Sequence, residues 1–180
     1  MASGATIYRA ELDLADIDRG VYGSHTLTLA RHPSETEERL MLRLLAWAMH
    51  ADPALEFGRG ISTDEDPDLW LRRPDGTIAL WIEVGLPDEK RLRRAAGRAD
   101  AVVVIACGGR AVAPWWAKQG EGLSRIAGLR VLGIAQEHAR ELAALCNRGM
   151  RLHCTLQEGE ILFGDATRTV RVIPGILHPH

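Results

Sequence analysis

Lysine is nearly missing from this sequence. Lys90 and Lys118 are the two lysines among 22 basic residues, and the rest are arginine. A reaction that needs a catalytic lysine therefore has two candidates in the whole chain. An excess of charge of one sign is missing too. A formal net charge of -2 excludes a surface coated for general nucleic-acid binding and confines any such contact to a local patch. Cysteine is sparse. Cys107, Cys146 and Cys154 form no C-x-x-C pair and sit in apolar contexts, so they read as buried thiols rather than disulfides or zinc ligands. That usage suits a reducing cytoplasm. No stretch approaches the ~18 uninterrupted apolar residues of a membrane span, and the first residues carry no secretory signal. The G-x-x-x-x-G-K-[ST], G-x-S-x-G and H-E-x-x-H motifs are all absent, which removes support for NTPase, α/β-hydrolase and zinc-protease readings.

What is present is enough apolar residue, 46% of 180, for one domain over 1–180 with a real core. Residues 5–14 and 24–30 alternate like two half-exposed strands and read as an antiparallel pair. Ser34 followed by Glu37 forms a capping box, so a helix is expected up to about Met49. Leu40, Met41, Leu44, Leu45 and Trp47 make that helix apolar on most sides, with Arg39, Arg43 and His50 as its polar stripe. Short strands are expected at 55–61 and 69–72, then the turn Arg73-Pro74-Asp75-Gly76, then an apolar strand at 78–84. After residue 78 the order is β-α-β-α-β-α. Helices are expected from 87 to 98, 112 to 118 and 136 to 147, between strands at 101–106 and 129–134. That order implies parallel pairing in one sheet. Strands at 152–156, 161–163 and 169–173 form a β-meander or a second small sheet. His178 and His180 fall in a short tail expected to be flexible.

The strand at 78–84 is interrupted by one acid, Glu83. A carboxylate in such a run is costly to bury without a partner. The turn places Asp68, at the start of one strand, near Glu83, at the end of the other. Two carboxylates so placed suit a hard cation such as Mg²⁺ or Mn²⁺, which would polarise a phosphoryl oxygen and lower the pKa of a bound water. Glu38 adds a third acid on the apolar side of its helix. Ordinary ion pairing would account for the same residues: Asp68 as a cap, Glu83 with Arg72 or Arg94, and Glu38 with a neighbouring arginine. The helix after Glu83 carries Lys90, Arg91, Arg93, Arg94 and Arg98. It suits a phosphate backbone; a solvated face over Leu92, Ala95, Ala96 and Ala99 is the competing reading. Trp47, Trp70 and Trp81 read as core. Packing is the better reading of Trp115 and Trp116 as well, ahead of base stacking.

The strings RHPSETEER (31–39), DLWLR (68–72) and LWIEVGLPDE (80–89) closely resemble the bacterial YaeQ family. So do Trp115-Trp116 and the β-rich end with Gln157-Glu158-Gly159. That family looks like a divergent form of the PD-(D/E)XK nuclease fold. The resemblance implies a mixed sheet flanked by helices, to which the N-terminal antiparallel pair and the C-terminal meander read from the residue pattern are added. It puts Pro67-Asp68 in the P-D place, Glu83 in the (D/E) place and Glu38 on the preceding helix. In the place of the motif lysine stands Gly85, and Lys90 is the substitute available. Two functions follow as expectations. In the first, Asp68 and Glu83 hold a metal with Glu38 beside them. Lys90 assists the water in phosphodiester hydrolysis, and Arg91, Arg93 and Arg94 contact nucleic acid. In the second, the same fold binds nucleic acid, or a transcription or repair partner, without cleavage. The position of the Lys90 ammonium discriminates between them.

Overall fold

The alternating N-terminus builds a long hairpin, β1 (Thr6–Asp16) and β2 (Val21–Arg31), in full antiparallel register from Thr6 opposite Arg31 to Asp16 opposite Val21. Tyr8, Ala10, Leu12 and Leu14 face inward while their neighbours face out. The computed structural model describes residues 4–59 and 65–179.

The helix that follows is α1 (Glu37–Met49). Its cap is not the expected Ser34 with Glu37. Thr36 caps it, its hydroxyl accepting from the Arg39 amide at 3.2 Å. Ser34 instead pairs its hydroxyl with His32 Nδ1 at 2.7 Å. The reason is Glu35, which turns inward to the buried Arg43, so the chain must pass 35 before the helix begins. The polar stripe needs a second correction: Arg43 is 0% exposed.

Next come β3 (Leu55–Phe57), β4 (Leu69–Arg72), β5 (Ile78–Val84), α2 (Glu89–Ala96), β6 (Ala99–Ala106), a 3₁₀ turn (Gly109–Ala111), α3 (Val112–Leu123), β7 (Leu129–Gly133) and α4 (Gln136–Ala143). The expected strand at 55–61 ends at Phe57, and its last two positions lie outside the described residues. At Gly58 the chain crosses too closely for a side chain: a Cβ would stand 1.9 Å from the Pro67 carbonyl oxygen. Strands β5, β6 and β7 pair in parallel, as the βα order requires.

The C-terminal strands β8 (Gly149–Gln157), β9 (Glu160–Gly164) and β10 (Thr169–Val172) pair antiparallel in chain order as the expected meander, but the meander does not stand alone. β8 pairs in parallel with β1, giving a five-stranded mixed sheet in the order β10-β9-β8-β1-β2. The tail is not free as far as His178, and His180 lies outside the described residues. β11 (Gly175–His178) pairs antiparallel with β7 and closes a six-stranded mixed sheet, β11-β7-β6-β5-β4-β3. The protein is thus a mixed α/β fold with two mixed sheets and, among the described residues, four α-helices.

Burial sorts these elements into layers. Leu40 through Ala48 of α1, with Ala139 and Leu142 of α4, share one core with the inner residues of the five-stranded sheet and with Ile82, Val84, Val103, Ile105 and Leu132 of the six-stranded sheet. So α1 and α4 lie between the sheets, and that is why α1 is apolar nearly all round. Leu92, Ala95, Trp115 and Leu123 of α2 and α3 cover the opposite face of the six-stranded sheet, against Trp81, Val102 and Val104. No helix among the described residues is long and apolar enough to cross a membrane.

Candidate functional site

The β4–β5 hairpin sets the first part of the site. Its turn closes with the Gly76 amide on the Arg73 carbonyl at 2.9 Å, at a φ of +87° that favours glycine. Leu69 pairs with Ile82, and the Asp68 amide donates to the Ile82 carbonyl at 3.1 Å. This register brings Asp68 beside Glu83, as the hairpin predicts. Both are buried, at 4% and 5% exposure.

What compensates them differs from the expectation. Asp68 Oδ1 accepts from Arg39 Nη2 at 2.6 Å, and its Oδ2 from the Val84 amide at 2.7 Å. Glu83 Oε1 accepts from Trp81 Nε1 and from Arg91 Nε, both at 2.8 Å. Arg39 comes from α1, on one face of the sheet, and Arg91 from α2, on the other. The pair is therefore clamped from both sides. Arg39 also reaches Glu35 Oε1 at 3.0 Å and the Val84 carbonyl at 3.1 Å. Behind it, Arg43 grips Glu35 with two bonds of 2.8 Å. Arg91 Nη2 further donates to the Asp66 carbonyl at 3.0 Å.

The electrostatics follow. Burial pushes the Glu83 carboxyl above its usual range, and the neighbouring Asp68 charge adds to that; Trp81 and Arg91 pull the other way. Burial works against the Arg39 charge, but Asp68 and then Glu35 more than offset it, so its pKa is raised. Cys107, just past β6, is pushed up to about 11 by burial; Arg39 opposes this, while Asp68 and Glu38 reinforce it. At neutral pH it is a thiol, not a nucleophilic thiolate.

The other predicted residues go elsewhere. Glu38 accepts from Gln136 Nε2 of α4 at 2.9 Å. Lys90 and Arg94 are exposed and make no ion pair among the described residues. Arg93 pairs with Glu89 on its own helix at 2.7 Å. Among the described residues, no three His, Cys, Asp or Glu side chains are grouped to hold a metal ion. As placed, both Asp68 oxygens are engaged, and two guanidiniums stand where a cation's charge would be. The donor set does not fit a divalent ion without moving them.

Arg39, Glu35 and Gln136 were missing from the expected site. Glu35, Arg39 and Arg43 repeat at a spacing of four, which signals a charge ladder that starts just ahead of α1. Gln136 carried no comparable signal: it meets Glu38 across 98 positions of sequence.

The family model described as YaeQ protein matches residues 1–174. The chain is 42% identical over 172 residues to the uncharacterized YaeQ protein of Salmonella typhi, covering 96% of this chain and 95% of that one. The YaeQ protein of Escherichia coli strain K12 gives the same identity and coverage. The crystal structure of YaeQ from Xanthomonas axonopodis pv. citri superimposes with a TM-score of 0.95 at 46% identity, covering 98% of this chain and 99% of that one. That of YaeQ from Pseudomonas syringae gives 0.94 at 35% identity, covering 98% and 97%.

Proposed function

The chain belongs to the YaeQ family, and from that premise we propose that it is a nuclease-like protein that binds nucleic acid without cutting it. The observation that carries this reading is the arginine clamp on Asp68 and Glu83. A hydrolytic site of the PD-(D/E)XK kind needs carboxylates open to Mg²⁺ or Mn²⁺ and an ammonium beside the attacking water. Here Arg39 and Arg91 neutralise the acids, Gly85 fills the lysine place, and Lys90 is exposed and makes no ion pair among the described residues. Lys90 and Arg94 then serve as contacts for phosphates on the solvent side of α2.

One observation favours the hydrolytic alternative. Asp68 and Glu83 do lie side by side on paired strands, as metal-binding acids would. In that reading Asp68 and Glu83 would bind the ion once Arg39 and Arg91 had moved aside.

Titration calorimetry with Mn²⁺ and Mg²⁺, on wild type and on the Asp68→Ala/Glu83→Ala double variant, separates the two when paired with oligonucleotide binding and cleavage assays. We expect salt-sensitive oligonucleotide binding, intact product strands and no saturable metal heat. Metal binding that disappears in the double variant, together with Mn²⁺-dependent strand cutting, would overturn the non-cleaving reading in favour of the other.

A further inference from the structure

The parallel strands β5, β6 and β7 all end at the same edge of the six-stranded sheet, the edge where open α/β sheets receive ligands. Past the acidic pair, that edge opens into a cleft of about 790 Å³ lined by Gly108, Gly109, Arg110, Gln136 and Arg140. Four features of this cleft point one way.

The first is charge. Arg110 and Arg140 are exposed and make no ion pair or hydrogen bond with their guanidiniums among the described residues. The second is backbone. Gly108 and Gly109 hold φ values of +134° and +58°, and a Cβ on Gly109 would come within 3.2 Å of Gln136 Oε1. The missing side chains let a ligand approach the chain closely. The third is the free amides. α4 at Gln136 has no side-chain cap. The amides of Gly108, Gly109, Gln136 and Glu137 donate no hydrogen bond to any described residue. The fourth is fixation. Glu38 of α1 accepts from Gln136 Nε2 and so sets the orientation of that side chain. Glu137, in the first turn of α4, lies against His138 Nε2 at 3.8 Å.

We propose that this cleft binds a phosphate group, with Arg110 and Arg140 as the charged clamps and the Gly108-Gly109 and α4 amides as its floor. Two arginines match phosphate geometry, each with a fork of N–H donors. Uncapped helix amides supply the remaining bonds. The site is separate from the Asp68–Glu83 pair and does not depend on cleavage. Its phosphate comes from a polynucleotide strand or from a small phosphomonoester, and the chemistry recognised is the same.

The test is an amide chemical-shift titration of the full chain with inorganic phosphate at constant ionic strength. In wild type, the amides of Gly108, Gly109, Arg110 and Gln136 should shift and saturate. Arg110→Ala/Arg140→Ala should weaken that binding by about tenfold or more. A charge-matched control, Arg151→Ala/Arg168→Ala on the other sheet, should not. Absence of localised shifts in wild type overturns the proposal, and so does equal weakening by the control. A second arm uses a short single-stranded oligonucleotide and glycerol phosphate. If the oligonucleotide shifts the same amides, the strand is the source. If glycerol phosphate shifts them and the oligonucleotide binds nowhere, the cleft stands and the nucleic-acid reading falls.

Discussion

At one edge of the six-stranded sheet, two charged patches obey opposite rules. Around Asp68 and Glu83 every carboxylate is answered from within: Arg39, Arg91, Trp81 and the Val84 amide all converge on two acids exposed by 5% or less. Around Gly109 and Gln136 two guanidiniums and the uncapped start of α4 face the cleft with no partner of their own among the described residues. The difference is one of burial. A buried charge without a partner would cost several kcal/mol, so the fold supplies partners where acids go inside. An exposed guanidinium is hydrated and needs none. Internal compensation therefore serves the fold, and the valence left over is what a ligand can use.

The largest expected effect breaks the compensated patch from behind. Glu35 is 2% exposed and held by Arg43, itself fully buried. Arg43→Ala leaves that carboxylate with Arg39 alone and opens a hole under α1. The loss should be about 3–5 kcal/mol in urea unfolding. Arg39 would then be drawn between Glu35 and Asp68. A loss under about 1 kcal/mol would mean that the ladder is not what holds the acids.

Acid probes the same helix from its other end. His50 follows α1 as its C-terminal cap, with Nδ1 at 3.0 Å from the Ala46 carbonyl. Burial lowers its pKa to about 4; Arg19 and Arg130 add to this, while the Ala46 carbonyl and Asp16 oppose it. The unfolded chain takes up the proton first, near pH 6.5. Stability is therefore whole above that pH and is lost as pH falls from about 6.5 to about 4, by roughly 3 kcal/mol. His50→Gln should flatten this slope in pH-dependent urea unfolding. Glu83 acts with the opposite sign. Its pKa is raised in the folded state, so its contribution is present below the usual carboxyl range and is lost as pH rises through its raised value. Glu83→Gln should therefore gain on wild type as pH climbs.

How much of this was legible beforehand depends on what each residue answers to. The β5–α2–β6–α3–β7–α4 order followed from local apolar runs and turn residues, and its parallel pairing from chain connectivity. The Asp68–Glu83 adjacency followed from one strong turn, because a hairpin is a local object. The joining of β8 to β1 did not, since that register is set between strands about 140 residues apart. The tail misread as flexible has the same cause: Gly175 and Ile176 look like punctuation until the edge of β7 asks for a strand. At the site, residue type and spacing marked Glu83 as an acid needing a partner. They did not say which of five basic residues on the next helix would reach it. Lys90 was expected as the catalytic substitute, and Arg91 as a nucleic-acid contact. One step along a helix turns a side chain by about 100°, and in the structure it is Arg91 that faces Glu83.

That single step also sharpens the comparison most finely. Arg91→Ala removes a charge-assisted bond from a buried acid and should cost about 1–2 kcal/mol in urea unfolding. Arg110→Ala/Arg140→Ala removes two charges from the cleft and should leave stability within about 0.5 kcal/mol of wild type, since exposed side chains away from packing rarely matter more. Equal losses in both would mean that the cleft arginines are structural after all, with partners inside the protein in solution. A cleft variant that is slightly more stable than wild type would carry the argument further. It would show that Arg110 and Arg140 repel one another in the absence of an anion, as two guanidiniums lining one cleft should. Adding inorganic phosphate ought then to reverse the order and make wild type the more stable protein, because a ligand that binds only the folded state adds to its stability.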